Sequence, residues 1–243
     1  MKPVIEIKNL RKSYGTNHVL DGFNMVLNEG ENLVIMGKSG SGKSVMIKCL
    51  IGLEQADSGS IEVMGQNILE LQQEELDELR TEVGFLFQGS ALYDSMSVRE
   101  NLEFPLRRHT KKFGIIEDTT PLVVEALKNV GLESAIDLMP SELSGGMKRR
   151  IALARTLILQ PKIILYDEPT TGLDPITSKE IILLMQSIQQ KYKTSSIIIT
   201  HDVDCARVIA NRMILLIDGI NYAEGTFQEL ITSKDPKVMA FFK

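Results

Sequence analysis

The stretch Gly37-Lys38-Ser39-Gly40-Ser41-Gly42-Lys43-Ser44 decides how the rest of the chain is interpreted, because it matches the phosphate-binding loop pattern G-x-x-x-x-G-K-[ST]. Its three glycines let the backbone turn tightly and bring successive N–H groups against a polyphosphate. Lys43 supplies a cation for the β- and γ-phosphates, and the hydroxyl of Ser44 is a ligand for Mg²⁺. The pattern therefore predicts a polyphosphate site.

The flanking residues predict a strand before this loop and a helix after it. Residues 32–36 form an apolar run typical of a buried strand, and residues 45–53 repeat at helical spacing with Gly52 near the end. The apolar face of that helix carries Met46, Cys49, Leu50 and Leu53. Phosphates would then lie at a helix N-terminus, where free N–H groups and the helix dipole favour anions. For the loop alone, the alternative is a chance glycine-rich turn.

Composition limits the class of protein. The chain has 243 residues, of which 43% are hydrophobic and 24% charged, and this fits one large α/β domain or a core with an inserted lobe. The net charge of −5 and the lack of a basic block do not suggest a nucleic-acid partner. No apolar run reaches the length of a signal peptide or a membrane span, so we expect a cytosolic chain. Cys49 and Cys205 are expected to be buried thiols.

The N-terminal residues alternate in the way that strands do. Residues 4–7, 19–20, 23–27 and 60–63 are predicted as strands, and Asp21-Gly22 is predicted to be a hairpin turn. Tyr14 lies between the first two of these strands. Its ring could stack on a flat base or could be a surface tyrosine before a turn, and the local sequence favours neither.

Three later apolar runs, residues 83–87, 163–166 and 196–200, each give way to polar residues. These are Gln88, the pair Asp167-Glu168, and His201. In an open α/β sheet, the carboxyl ends of the strands face the ligand crevice. Asp167 suits Mg²⁺ coordination, and Glu168 suits a general base for water. A lone histidine is usually structural, but the position of His201 at a strand end favours a polar catalytic role.

Between about residue 90 and residue 158 the pattern becomes helical. Helices are predicted over residues 98–108, 121–130 and 146–159, with a loop at residues 111–114, so this block is interpreted as an inserted helical lobe. It contains Leu143-Ser144-Gly145-Gly146-Met147. Ser144 is a good N-cap and the two glycines leave backbone N–H groups free. This is either a second anion-binding helix start or a simple cap with a flexible turn.

In this order, the motifs resemble those of the ATP-binding cassette (ABC) ATPases, and the resemblance covers essentially the whole chain. It implies an α/β fold: a P-loop NTPase (RecA-like) core sheet with an N-terminal antiparallel β subdomain and an inserted α-helical subdomain. It implies a single ABC ATPase domain over residues 1–243. Residues 1–89 and 159–243 would form the nucleotide-binding core, and residues of about 90–158 the helical subdomain that carries the signature motif.

The resemblance also implies a role for each motif residue in binding and hydrolysing ATP with Mg²⁺. Glu168, His201 and Lys43 would be catalytic, with Glu168 aligning water and His201 sensing the nucleotide. Mg²⁺ would be held by Ser44, Gln88 and Asp167. The nucleotide would be bound by Tyr14, Gly37, Lys38, Ser39, Gly40, Ser41, Gly42, Lys43, Ser44, Gln88, Ser144, Gly145, Gly146 and Asp174. Each ATP would lie between two subunits, with the phosphate loop of one facing the signature of the other.

One residue of the signature motif differs from the usual family sequence and points to a subgroup of the family. The usual signature ends in glutamine, whereas Met147 stands here, and its side chain cannot donate a hydrogen bond. Residues 139–150, 88–93, 174–177 and 201–203 are similar to the ATPases of the Mla/Mce-type phospholipid transporters. This implies an ATPase homodimer on the cytoplasmic face of the bacterial inner membrane, bound to an MlaE-like permease. Further partners would be a lipid-binding Mce-domain protein and a small regulatory subunit. The cargo would be phospholipid moving between the inner and outer membranes.

Three other interpretations stay open: an ABC ATPase for another transported substrate, a soluble ABC ATPase acting on DNA or ribosomes, and a nucleotide-binding module without hydrolysis. The DNA type needs a long coiled coil, but the stretch between Ser44 and Ser144 shows no sustained heptads. The ribosome-acting type carries two cassettes in one chain, whereas this chain has one. The presence of Glu168 and His201 argues against a nucleotide-binding module without hydrolysis. Within residues 88–106, a group of apolar residues belongs either to a permease groove or to the lobe core. The group is Leu92, Tyr93 and Met96.

Overall fold

The computed structural model describes residues 2–109, 114 and 116–242, and the loop predicted at residues 111–114 falls mostly outside them. The strands are β1 Pro3–Tyr14, β2 Asn17–Asn28, β3 Asn32–Met36, β4 Ser58–Val63, β5 Gln66–Asn67, β6 Val83–Leu86, β7 Ile163–Asp167, β8 Ser195–Ile199, β9 Arg212–Ile217 and β10 Ile220–Gly225. The α-helices are α1 Lys43–Leu50, α2 Gln73–Thr81, α3 Val98–Arg108, α4 Thr120–Asn129, α5 Gly145–Leu157, α6 Pro175–Tyr192, α7 Val203–Ile209, α8 Phe227–Ile231 and α9 Pro236–Met239. Short 3-10 helices occupy Glu133–Ala135 and Pro140–Glu142. In the described part of the chain, no helix is long and apolar enough to cross a membrane.

The larger sheet has the strand order β10-β9-β3-β8-β7-β6, and all its neighbours run parallel except β10 and β9. β3 and β8 are buried along their whole length, as expected for parallel strands covered on both faces. Leu33 and Ile35 of β3 pack toward α1 and the smaller sheet, whereas Val34 and Met36 pack toward α6 and α7. Because β3, β8 and β7 are neighbours in the sheet and run parallel, their carboxyl ends lie side by side.

The smaller sheet has the order β2-β1-β4-β5 and is antiparallel. The hairpin predicted at Asp21-Gly22 is wrong, because β2 is one continuous strand and the chain turns between β1 and β2 at residues 14–17. The pairing with β1 skips Gly22 (φ 88°), which is the extra residue of a β-bulge. Leu20 and Phe23 are both fully buried although they are three residues apart. Side chains alternate between the two faces, so the extra residue returns Phe23 to the buried face.

Two predicted elements end earlier than expected. α1 ends at Leu50, so Leu53 lies beyond the helix, is not part of its apolar face and is 57% exposed. The N–H of Leu53 bonds to the carbonyl oxygen of Lys48 at 2.9 Å across the left-handed Gly52 (φ 65°), which is a common helix ending. β6 likewise stops one residue before Phe87, which is 41% exposed. The apolar-face residues that are buried as predicted are Met46, Cys49 and Leu50.

The helices α3, α4 and α5 occupy the segment predicted to be helical and share a hydrophobic core of their own. This core extends from Val98 on α3 to Ile158 just after α5, and it includes Leu127 and Ile151. Met147 packs against the same cluster, so its side chain has an apolar environment. We propose residues 90–158 as one subdomain, with residues 1–89 and 159–243 forming the nucleotide-binding core.

An ion pair joins the starts of β3 and β9. The guanidinium of Arg212 donates to both carboxylate oxygens of Glu31, at 2.7 Å from Nε and 3.0 Å from Nη2. Glu31 is 8% exposed and also accepts from the backbone N–H of Asn28 at 2.9 Å. Burial alone would raise the pKa of Glu31, but Arg212 and Asn28 outweigh it and hold the pKa below its usual range.

We expect Glu31→Gln to lower the free energy of unfolding at neutral pH by about 1–3 kcal/mol, because Arg212 loses its buried counter-charge. Folding lowers the pKa of Glu31, so its charge stabilises the fold above the ordinary pKa of 4.5. That stabilisation is lost as the pH falls through the lowered pKa. Urea unfolding should therefore show the difference from wild type shrinking under acid conditions. Glu224→Gln removes a more exposed partner of Arg212 and should cost clearly less; equal losses would contradict this assignment.

Candidate functional site

The phosphate loop joins β3 to α1, and close contacts require two of its glycines. A Cβ atom at Gly42 would lie 2.7 Å from the carbonyl oxygen of Val19, and one at Gly37 would lie 2.8 Å from that of Leu216. Gly42 also has φ 102°, which side chains rarely adopt, and it caps α1. The loop backbone therefore lies directly against β2 and β9. The exposed outer residues of the loop are Lys38, Ser39 and Gly40.

The loop carries polar groups that fit phosphate oxygens. Ser41 Oγ is buried and has no hydrogen-bond partner among the described residues. Lys43 is 8% exposed and donates from Nζ to two carbonyl oxygens of the loop, at 2.7 Å and 2.9 Å. Burial lowers the pKa of Lys43, and the charges of Glu168 and Asp167 oppose this shift. A cation inside a glycine loop at a helix start is the arrangement that binds the terminal phosphates of a nucleotide.

The three predicted metal ligands are oxygen donors of the kind that Mg²⁺ prefers. Asp167 ends β7 and is partly buried; burial and the charge of Glu168 raise its pKa, while Lys43 opposes the shift. Ser44 and Gln88 are exposed, the first on α1 and the second in the turn after β6. The described residues contain no group of three or more His, Cys, Asp or Glu that could hold a metal. One carboxylate, one hydroxyl and one amide oxygen are the kind of donors that fit an Mg²⁺ ion, which in nucleotide sites is bound by one or two carboxylates together with phosphate oxygens and water.

Glu168 follows β7 in a left-handed backbone conformation. Its φ is 50°, which is strained for a residue with a side chain, and such strain is common at functional sites. Its N–H donates to the carbonyl oxygen of Ile199 at 2.9 Å, which ties it to β8. Its side chain is 14% exposed, and Oε2 lies 2.8 Å from Nδ1 of His201. Two of the three predicted catalytic residues, Glu168 and His201, are thus in direct contact.

Two threonines that the sequence did not single out support this pair. Thr171 Oγ1 donates to Oε2 of Glu168 at 3.0 Å. Thr170 Oγ1 donates at 3.2 Å to Asp202, the residue after His201 and the N-cap of α7. The local sequence of residues 170–175 predicts a turn and assigns these two threonines no role in the site. Their position directly after the Asp167-Glu168-Pro169 segment is the one signal that could have identified them.

Tyr14 is the last residue of β1, and 47% of it is exposed. The Nζ atom of Lys12 lies 5.1 Å from its ring centroid. Lys12 also donates to the carbonyl oxygen of Gln55 at 2.7 Å and pairs with Glu54 at 3.0 Å. These contacts hold Tyr14 beside the segment that follows α1, with its ring accessible for stacking.

The signature residues and Asp174 form a separate group. Ser144 caps α5 by accepting from the N–H of Met147, and Asp174 caps α6. A Cβ atom at Gly145 would lie 3.7 Å from Leu173, and one at Gly146 would lie 2.7 Å from Thr177. The nearest neighbours of both glycines therefore belong to the start of α6 and not to the phosphate loop. Most predicted site residues therefore fall into one group at the carboxyl ends of β3, β7 and β8 and a second group at the starts of α5 and α6, whereas Tyr14 ends β1 and Gln88 follows β6.

The apolar surface near Gln88 is divided between core and solvent. Tyr93 is 43% exposed, with its ring centroid 4.9 Å from that of Phe104. Leu92 is half-buried. It packs against the core shared by α3, α4 and α5 and against the core between the larger sheet and helices α6 and α7. Leu92 therefore belongs to the core of the helical lobe. The side chains of Tyr93 and Phe87 are exposed, so they are available to contact a partner protein.

Comparison with known proteins agrees with this geometry. Residues 20–171 match the ABC transporter family. The intermembrane phospholipid transport ATP-binding protein MlaF of Haemophilus influenzae is 39% identical over 241 residues, covering 99% of this chain and 90% of that protein. The probable ribonucleotide transport ATP-binding protein Mkl of Mycobacterium leprae is 40% identical, covering 99% of this chain and 69% of that protein. The methionine import ATP-binding protein MetN of Clostridium tetani is 42% identical, covering 89% and 67%.

Solved structures agree with the predicted fold class. A dimeric ATP-binding cassette in a post-hydrolysis state, bound to ADP and Pi, is 32% identical with a TM-score of 0.83, covering 92% of this chain and 98% of that one. CbiO1 of Clostridium perfringens, part of an ABC transporter complex, is 29% identical with a TM-score of 0.87, covering 96% and 92%. This chain therefore belongs to the ABC transporter family, as an ATP-binding subunit that hydrolyses ATP.

Proposed function

We propose that this chain is the ATPase of a transporter that moves phospholipid between the inner and outer membranes of a bacterium. The observation that carries the proposal is the similarity to H. influenzae MlaF, which extends over 90% of that protein. The Mkl and MetN relatives are matched over about two thirds of their length. The methionine at position 147, which replaces the usual signature glutamine, supports the same assignment because this stretch resembles the Mla/Mce-type ATPases.

The chemistry that we propose uses the groups at the strand ends. Glu168 accepts the proton of the water that attacks the γ-phosphate, and His201, in contact with the same carboxylate, responds to the nucleotide. Lys43 neutralises the charge that develops on the phosphates. Mg²⁺, held by Ser44, Asp167 and Gln88, would supply further neutralisation of that charge. Tyr14 stacks on the adenine.

We propose a homodimer with composite sites, because the signature residues lie apart from the phosphate loop of their own chain. The segment of Ser144, Gly145 and Gly146 would bind ATP held by the other subunit, with Asp174 at the same interface. The ATPase would lie on the cytoplasmic face of the inner membrane against an MlaE-like permease, through the surface that includes Phe87 and Tyr93. An Mce-domain protein and a small regulatory subunit would complete the assembly, and no nucleic acid takes part.

A second candidate is the same ATPase on a permease with a different cargo. The observation in its favour is that the Mkl and MetN relatives, named for ribonucleotide and methionine transport, are as similar in sequence as MlaF.

The partner and the cargo can be tested in one experiment. Purified from membranes in detergent, the tagged chain should bring down an integral membrane protein with bound phospholipid, detected by mass spectrometry. Tyr93→Glu should lose this partner while keeping ATP hydrolysis, whereas Leu183→Glu, an exposed residue of α6, should keep both. Recovery of the chain free of membrane protein would reject the proposed complex with a permease. ATP hydrolysis that is stimulated by ribonucleotide or methionine and not by phospholipid would reject the lipid assignment alone.

A further inference from the structure

Arg149 connects two segments of the active site from the signature helix α5. Its side chain is buried, with 4% of the residue exposed. Nη1 donates to the carbonyl oxygen of Phe87 at 2.8 Å, and Nη2 donates to that of Thr171 at 3.3 Å. Phe87 directly precedes Gln88, and Thr171 is the residue whose hydroxyl contacts Glu168. One guanidinium therefore joins the main chain of the Gln88 segment to the main chain beside the proposed base.

The charge of Arg149 is costly for the fold. Among the described residues its Nε has no hydrogen-bond partner, and burial lowers its pKa with no carboxylate near enough to oppose the shift. A buried cation without a counter-charge destabilises a protein, and a neutral side chain of similar size would avoid this penalty. The favourable interactions that the side chain makes are its hydrogen bonds to the carbonyl oxygens of Phe87 and Thr171. Its role therefore depends on the two main-chain segments that these bonds connect.

The second contact leads directly to the proposed base. The N–H of Thr171 lies 3.3 Å from the carbonyl oxygen of Glu168, and its hydroxyl donates to Oε2 at 3.0 Å. The same Oε2 atom lies 2.8 Å from Nδ1 of His201. The position of the Thr171 main chain therefore controls where the carboxylate of Glu168 is held.

A second arginine of α5 serves as an internal comparison. Arg155 donates to the carbonyl oxygens of Ala91 at 2.8 Å and Ser90 at 3.2 Å, so it also binds the segment that follows Gln88. It makes no hydrogen bond to the segment of Glu168 in the described part of the chain. Arg149 alone of this pair reaches both segments.

We propose that Arg149 is a positioning residue for ATP hydrolysis. It ties the main chain before Gln88 to Thr171, so that the Thr171 hydroxyl holds the carboxylate of Glu168 in place. Because Gln88 adjoins the surface that we propose faces the permease, a movement of that segment would be transmitted to Glu168 through Arg149. The inference rests on the proposed role of Glu168 as the base.

The test is a set of steady-state ATPase measurements on the full-length chain. Arg149→Met should lower kcat about tenfold, because a small displacement of a catalytic group has a large effect on rate, and should change KM for ATP by less than about threefold. Thr171→Val should give a similar loss, and Thr171→Ser should recover most of it. Arg150→Met removes the neighbouring arginine, which pairs with Glu180 at 2.6 Å, and should leave kcat unchanged.

The double variant Arg149→Met with Thr171→Val decides whether the two residues act together. If Arg149 works through Thr171, the double variant should be no slower than the slower single variant by more than about twofold. Multiplied losses would overturn the inference, as would a lowered melting temperature with an unchanged kcat. If Arg149→Met does not fold, Arg149→Lys replaces it, because lysine lacks the planar fork with which Arg149 donates to both carbonyl oxygens. A wild-type kcat in both Arg149→Lys and Thr171→Val would then overturn the inference. Glu168→Gln separates the two hypotheses: normal turnover there rejects the proposed base, whereas an inactive Glu168→Gln beside fully active Arg149 and Thr171 variants rejects the inference alone.

Discussion

Glu168→Gln should lower ATP turnover by about two to four orders of magnitude while leaving ATP binding intact. Glutamine has the size of glutamate and can still accept from Thr171 Oγ1, which lies 3.0 Å from the carboxylate, but it cannot take a proton from water. Binding should survive because Lys43 and the phosphate loop are untouched. Phosphate release would measure turnover, and a fluorescent ATP analogue would measure affinity.

The matched control for this variant is Glu125→Gln, an exposed glutamate on α4. It removes the same charge far from the phosphate loop and should hydrolyse ATP like the wild-type chain. Turnover by Glu168→Gln within about threefold of wild type would show that another group takes the proton.

Gly145→Asp should abolish ATP-driven dimerisation and hydrolysis while the monomer still binds ATP. A Cβ atom at Gly145 meets only Leu173 at 3.7 Å, an ordinary contact, and an acidic residue in the first turn of a helix is favourable for its stability. The new carboxylate would face the γ-phosphate of ATP held by the other subunit, and such like-charge contacts cost several kcal/mol, on the order of 3. Gly146 is a poorer test, since a side chain there would meet Thr177 at 2.7 Å within its own chain.

Light scattering in the Glu168→Gln background gives the clearest measurement of this effect. Glu168→Gln alone should dimerise with ATP, because hydrolysis no longer separates the subunits. Adding Gly145→Asp should leave monomers at every ATP concentration, whereas adding Ser187→Asp, an exposed position on α6, should leave the dimer intact. A Gly145→Asp dimer of undiminished affinity would mean that the signature does not face the partner's nucleotide.

The phosphate loop and the polar strand ends could be predicted from the sequence because their information is local. The loop is one contiguous stretch whose glycines are needed for backbone contacts, at Gly37 and Gly42 above all. Parallel strands bring their carboxyl ends to the same side of the sheet, so the sequence predicts that Asp167, Glu168 and His201 face one ligand crevice. The two carboxyl-end residues Glu168 and His201 do lie in contact at 2.8 Å.

The hairpin at Asp21-Gly22 shows where local information misleads. The same two residues are favourable in a turn and in a bulge, and only pairing with β1 decides between them. The need to bury both Leu20 and Phe23 on one face of the sheet selects the bulge.

The sequence by itself determined the family, the glycine-rich loop between β3 and α1 and the polar residues at the strand ends. It did not distinguish Arg149 from its neighbours Lys148 and Arg150, because three consecutive basic residues on a helix form one pattern. Only the packing of α5 against the end of β6 and the segment at Thr171 buries Arg149, while Arg150 pairs with Glu180 near the surface. The burial of a side chain depends on elements that lie far apart in the chain. Only the tertiary structure therefore shows that Arg149, and not its basic neighbours, connects the Gln88 segment to the segment beside Glu168.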